Sequence, residues 1–294
     1  MLTNTLHKSV GLIETKYELS VFKGIQVDGE QFEESENSLA FSLKNLYVSN
    51  TGQAQVRLEK VGPKLKEPLL LPKSMKQFWD VFSKEHSALL VQTSKSGSIE
   101  SVQKENIDQL TRNNAVKEIF TDLSVSSDDK MILNQRAQKI LSDTTELKRE
   151  LNQSLIYNSL FPSLFNIKMI EGEEVELGDS LACYSLFADD LFHQMNQYAK
   201  FMGSVKLQNE DLYSYTILGD LDSGNYCADQ VEQAFLKSPY AGNFNAVFDY
   251  EFDYTGSFYF DKETSVLKNA EIVLYEQVND ILKGIFSIKI KELQ

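Results

Sequence analysis

Residues 244–254 read FNAVFDYEFDY, a stretch with a strict two-residue rhythm. Phe244, Ala246, Phe248, Tyr250, Phe252 and Tyr254 fall on one side, and Asp249, Glu251 and Asp253 on the other. Successive side chains of a strand point to opposite faces, so this alternation predicts a strand with one buried face. Phe244, Phe248 and Phe252 are expected in a core, each burial contributing roughly 1.5–3 kcal/mol. The three acids are expected to face water, where their charge also guards an edge against pairing with other chains. Side chains two apart on one face stand about 6–7 Å apart. A divalent ion would therefore need further oxygens from a neighbouring strand. The aromatic side poses the sharper question. Either helices fill it, or Phe248, Tyr250, Phe252 and Tyr254 border a space for a hydrophobic ligand. These four are the candidate binding residues.

The same rhythm recurs. Tyr17, Leu19 and Val21 alternate with Glu18, Ser20 and Phe22; Leu39, Phe41 and Leu43 share a face; AQVRLEKV follows the turn Asn50-Thr51-Gly52. Further strands are expected in ALLVQTSKSGSIESVQ, NIKMIEGEEVEL and VKLQNEDLYSYTILGDLDSGNY, and in GSFYFDKETSVLKNAEIVLYEQ and ILKGIFSIKIKEL. The final stretch is expected to close the sheet. Pro63, Pro68 and Pro72 break the pattern, since proline cannot donate to a ladder.

Other segments carry helical spacing. Met75, Phe78, Trp79 and Phe82 follow a capping Ser74, and 105–123 and CADQVEQAFLK also fit. A long helix is expected near 127–160, through Leu133, Ala137, Ile140, Thr144, Leu147, Leu151 and Leu155. Residues 186–202 read as helical too, with Leu191, Phe192, Met195, Tyr198, Ala199 and Met202 on one face. The expected fold class is α+β, a large curved antiparallel sheet packed against several helices. Two regions are expected, 1–165 and 166–294, packed as one unit.

Two resemblances bear on this. The hairpin FYFDKETSVLKNAEIVLYE resembles the strand pairs of periplasmic lipoprotein-carrier half-barrels, which implies a curved sheet able to hold an acyl chain. Residues 89–165 resemble a group of uncharacterised Bacteroidota proteins, through Leu89-Leu90-Val91, Gly97-Ser98-Ile99, Asn106-Ile107 and a helix running to Phe161 and Phe165. The tryptophan expected after Asn106-Ile107 is absent, and Leu110 and Thr111 stand there. That second resemblance implies an architecture and no activity.

Charge narrows the partners. With 43 acids against 29 bases the net charge is −14, which disfavours nucleic acid and anionic membranes. Cys183 and Cys227 lie far apart with no histidines at metal spacing, so free buried thiols are expected, with one disulfide as the alternative in an oxidising compartment. No 18-residue apolar run suggests a transmembrane segment, and no signal-like stretch opens the sequence. The expected location is cytoplasmic, or the envelope if the native gene supplies a leader.

Catalytic motifs are weak. Gly178-Asp-Ser180-Leu181 matches the nucleophile block of a lipase and esterase family, and Asp190 and His193 supply a DxxH. In that family the two blocks lie more than a hundred residues apart, and an oxyanion-hole block stands between them. Here they are about ten residues apart and no such block follows. A turn at Gly178-Asp179 is the expected reading. Asp189, Asp190 and His193 read as a solvated helix face. Asp220-Leu-Asp222-Ser-Gly224-Asn225 departs from a calcium loop at positions five, six and twelve, and reads as a turn. No cofactor is expected. The reading is a non-enzymatic protein that recognises another protein, the alternative being a binder of a lipid or acyl chain.

Overall fold

The computed structural model describes residues 2–9, 12–60, 88–104, 144–152, 154–188, 191–221, 227–243, 247 and 249–293. Its strands are β1 (Thr3–Thr5), β2 (Glu14–Val27), β3 (Glu30–Val48), β4 (Ala54–Lys60), β5 (Ala88–Thr93), β6 (Ile99–Lys104), β7 (Lys168–Ile170), β8 (Glu174–Tyr184), β9 (Phe192–Leu207), β10 (Glu210–Leu221), β11 (Tyr250–Asp261), β12 (Leu267–Val278) and β13 (Leu282–Leu293). The described α-helices are short: α1 (Thr144–Asn152), α2 (Leu155–Leu160) and α3 (Ala228–Leu236).

Eleven strands form one sheet in the order β6-β5-β4-β3-β2-β13-β12-β11-β10-β9-β8, every pair antiparallel. Nine of the ten pairings join strands consecutive in the sequence, the commoner arrangement. The exception joins the chain's two ends, where β13 pairs with β2 from Leu282↔Val27 to Leu293↔Lys16. The last strand is therefore central, with β12 on its other side, and does not close an edge. Two-residue turns set several registers. Asp28-Gly29 (φ 51° and 79°) joins β2 to β3, and Gln208-Asn209 (φ 50° and 70°) joins β9 to β10. Both residues at positive φ is the geometry that matches strand twist.

One face of the sheet builds the core. Leu19, Val21 and Ile25 of β2, Ile288 of β13, Ile272 and Leu274 of β12, and Phe258 and Phe260 of β11 are all buried. Leu147 and Leu151 of α1, Leu164, and Phe235 of α3 join the same cluster. A small sheet of β1 and β7 lies beside it.

Strands hold 64% of the described residues and helices 12%, so the expected α+β class is corrected to an antiparallel β architecture. Two segments account for the difference. Residues 192–207 form β9, whose inward positions are His193, Met195, Gln197, Ala199 and Phe201. Two polar residues on the inward phase hide the alternation, while Met195, Tyr198, Ala199 and Met202 mimic a helical stripe. The expected long helix is also broken. Ser154 is extended (φ −90°, ψ 119°) between α1 and α2. The Asn158 side-chain amide donates to the Asn152 backbone carbonyl at 2.6 Å, at the end of α1, and the Asn152 amide donates away from the helix to the Ile99 carbonyl at 3.3 Å. Of that stripe, Leu147, Leu151 and Leu155 are buried in the core, whereas Thr144 is exposed. The helices expected at 75–82 and 105–123, and the 127–143 part of the long one, lie outside the described residues. No described helix is long and apolar enough to cross a membrane.

Candidate functional site

Tyr250 to Tyr254 form the start of β11. From Tyr250 to Tyr254 the alternation holds: Phe252 and Tyr254 are buried, and Asp249, Glu251 and Asp253 are exposed. Phe244, Ala246 and Phe248 lie outside the described residues. Tyr254 is enclosed, and burial raises its phenol above the usual range. The centre of the Phe252 ring lies 4.3 Å from that of His193, the two planes tilted by 45°. Tyr250 is half-buried, and its hydroxyl is engaged in a network that the sequence did not suggest.

That network is centred on Glu276, which is 0% exposed. It sits on β12 in phase with Ile272, Leu274 and Val278, all buried. Three donors meet its carboxylate: Ser185 Oγ at 2.6 Å, the Leu186 backbone N–H, and Tyr250 Oη at 2.7 Å. Ser185 Oγ in turn accepts from the Phe187 and Ala188 N–H groups, both at 3.1 Å. Tyr250 Oη also lies 2.5 Å from His193 Nε2. A phenol has one proton. With Tyr250 donating to Glu276, His193 carries its proton on Nε2 and donates to the phenol oxygen. Burial pushes Glu276 up to about 7, against the three hydrogen bonds and Lys23, which pull it down. Burial also pushes His193 down to about 4. Both groups are thus held neutral under mildly acidic conditions. The legible signal was a glutamate on the apolar phase of an alternating strand, because an ionisable side chain is seldom fully buried unless paired. Ser185 carried no such signal.

A cleft forms towards the other end of β11, where Phe260 lines it. It has about 100 Å³ of free interior. Its walls include Tyr17 of β2, Leu43 and Asn45 of β3, Val56 of β4, Thr93 of β5, Leu160 to Pro162, Phe165, Phe260 of β11 and Leu267 of β12. Strands β4 and β11 stand five places apart in the sheet order, so the sheet curls to bring them around one space. Strongly twisted sheets of about ten strands commonly do so.

Local structure fixes the rim. Gly97, at φ +115°, lets the β5–β6 turn pass against the 162–165 segment; a Cβ there would lie 2.5 Å from the Pro162 carbonyl. The Phe165 N–H donates to the Ser96 carbonyl at 2.8 Å. Asn166, at φ 57°, donates its amide to the Lys95 carbonyl at 2.9 Å and accepts from His7 Nδ1 at 3.0 Å. These contacts place Lys8 at the cleft. Its ammonium donates to Thr93 Oγ1 at 2.8 Å and to the Ser94 carbonyl, and lies 5.8 Å from the Phe165 ring centre. Burial lowers Lys8 to about 8, with Glu100 acting in the opposite sense. Nothing in the local sequence marks Lys8, because its partners come from a hairpin 85 residues away.

The remaining motifs separate. Ser180 is exposed, within a register irregularity of β8 between Leu177 and Leu181, and so is not at a strand-to-helix turn. His193 is buried on β9 with Nε2 against Tyr250. Asp189, Asp190, Asp222 and Asn225 lie outside the described residues. Cys183 is buried and free, and Cys227 is exposed and free. Among the described residues, no three His, Cys, Asp or Glu side chains gather as a metal site.

No protein-family model matches the chain. No curated protein matches it. Two solved structures are similar over most of their length. The ywiB protein from Bacillus subtilis has 8% identity, covering 96% of this chain and 94% of that one, with a TM-score of 0.16. A DUF1329 family protein from Desulfovibrio piger has 8% identity, covering 95% and 85%, with a TM-score of 0.21. At scores of this size neither likeness bears on the fold or the function.

Proposed function

We propose that the chain is a non-enzymatic binding protein whose curled sheet holds a small hydrophobic ligand in the Lys8 cleft. The observation that carries this reading is the convergence of β2, β3, β4, β11 and β12 on one largely apolar space. Concave, mostly apolar sites with a few polar groups are where small ligands bind. The likeness of residues 258–276 to lipoprotein-carrier half-barrels supports it, since those sheets also curl around an apolar ligand. The likeness of 89–165 to Bacteroidota proteins adds a proposed source and no activity. Phe252 and Tyr254 act in this reading as the packed support of β11, and Phe260, further along that strand, reaches the cleft. Native mass spectrometry of protein recovered from its host tests the reading. A bound small molecule that leaves on denaturation supports it; protein at the mass of the bare chain counts against it.

A second reading, recognition of another protein, rests on the exposed acids Asp249, Glu251 and Asp253 together with the net charge of −14. Such a ridge complements a basic surface and speeds encounter with it. A stable heteromer in a pull-down from the host supports this reading, and recovery of the chain alone weighs against it. Either role suits a cytoplasmic protein, or an envelope protein if the native gene encodes a leader.

A further inference from the structure

The Lys8 ammonium has three N–H donors and only two acceptors among the described residues, Thr93 Oγ1 and the Ser94 carbonyl. Both acceptors are neutral. No described carboxylate lies within ion-pair distance of it, and Glu100 acts only at longer range. A cation beside an apolar wall without a counter-ion is a costly arrangement, because the charge loses water and gains no opposite charge. Lys8 is also the one charged residue among those lining the cleft. The other polar lining groups are hydroxyls and an amide, among them Thr93 and Asn45.

Size limits the partner. The interior of about 100 Å³ is well above a single-water site, and approaches the dry cavity of about 150 Å³ that accepts benzene. The cleft is open to solvent, so a ring-sized apolar body seats partly within it, and a long acyl chain would extend well beyond it.

We propose that the cleft selects a small monocarboxylate, with its acid group on Lys8 and its apolar body against Phe165, Phe260 and Val56. This rests on the reading of the cleft as a ligand site and adds the class of ligand. One ammonium balances one carboxylate through charge-assisted hydrogen bonds from its third N–H. A phosphate monoester brings nearly two charges, and the lining offers no second cation to meet them.

Titration calorimetry at pH 7 with benzoate, benzyl alcohol and phenyl phosphate tests the proposal on the wild type and on Lys8→Met. Methionine keeps an unbranched apolar stem and removes the charge. Benzoate is expected to bind the wild type roughly tenfold or more tighter than benzyl alcohol. In Lys8→Met that preference is expected to vanish while benzyl alcohol binding is kept. Equal affinities in the wild type, a preference that survives in Lys8→Met, or phenyl phosphate as the tightest ligand would each overturn the proposal. Benzyl alcohol binding alone leaves the cleft reading standing; silence of all three ligands overturns the cleft reading as well. Should Lys8→Met fail to fold, the wild type decides across pH 7 to 10. Benzoate affinity is expected to fall as Lys8 loses its proton while benzyl alcohol affinity holds, and unchanged benzoate affinity contradicts the proposal.

Discussion

Burial acts on Glu276 and His193 in opposite senses, and the two sit on one phenol. Glu276 is raised from 4.5 to about 7 in the folded chain. Its neutral form therefore contributes stability that is fully present below pH 4.5 and lost as pH rises through 7. His193 is lowered from 6.5 to about 4. Its neutral form contributes stability that is fully present above pH 6.5 and lost as pH falls through 4. Between pH 4.5 and 6.5 the two slopes cancel. Glu276→Gln removes one of them. Relative to the wild type, the variant should gain about 1.4 kcal/mol of stability per pH unit across that window. Urea denaturation at half-unit steps measures this, and parallel profiles for the two proteins would refute the assignment. The network was half legible in the sequence. His193 and Tyr250 stand out as residue types, but the sheet order β12-β11-β10-β9-β8 and its registers, which bring Ser185, His193, Tyr250 and Glu276 together, cannot be read from any one segment.

Most of the strands were legible because their alternation is unbroken. Tyr17 to Val21, Tyr250 to Tyr254 and the last strand all bury the phase that their sequence marks as apolar. Strand β9 was not, because His193 and Gln197 occupy inward positions that the pattern assigns to apolar residues. The GDSL stretch was misplaced for a related reason: the irregularity between Leu177 and Leu181 lets glycine sit within a strand, where the sequence suggests a turn. Turn chemistry is uneven across the elements. Asp28-Gly29 suits its two positive φ values, whereas Gln208-Asn209 holds the same geometry with side chains that favour it less. Replacing the second pair by Asn-Gly should stabilise the protein by about 0.5–1 kcal/mol. A rise in the urea midpoint at constant slope checks it, and a lower midpoint would mean that the Gln208 side chain contributes more than its backbone strain costs.

At the scale of the molecule, the pairing of β13 with β2 joins two sequential hairpin arrays into one sheet and one apolar cluster. Ile288 lies fully buried in that central strand. Ile288→Ala should destabilise the protein by about 2–5 kcal/mol, by lost transfer energy and the cavity left behind. Fluorescence and circular dichroism should report the same shifted transition; separate transitions would show that the two arrays unfold independently. Nothing in any single segment announces this closure, since it depends on residues 16–27 meeting residues 282–293. The cleft has the same origin, because its walls come from strands five places apart. A crystal structure of the protein with 4-bromobenzoate tests that site most directly. The account predicts an anomalous bromine peak inside the cleft beside Phe260, with the carboxylate on Lys8 Nζ. Bromine bound elsewhere, or a cleft left empty at saturating ligand, would contradict it.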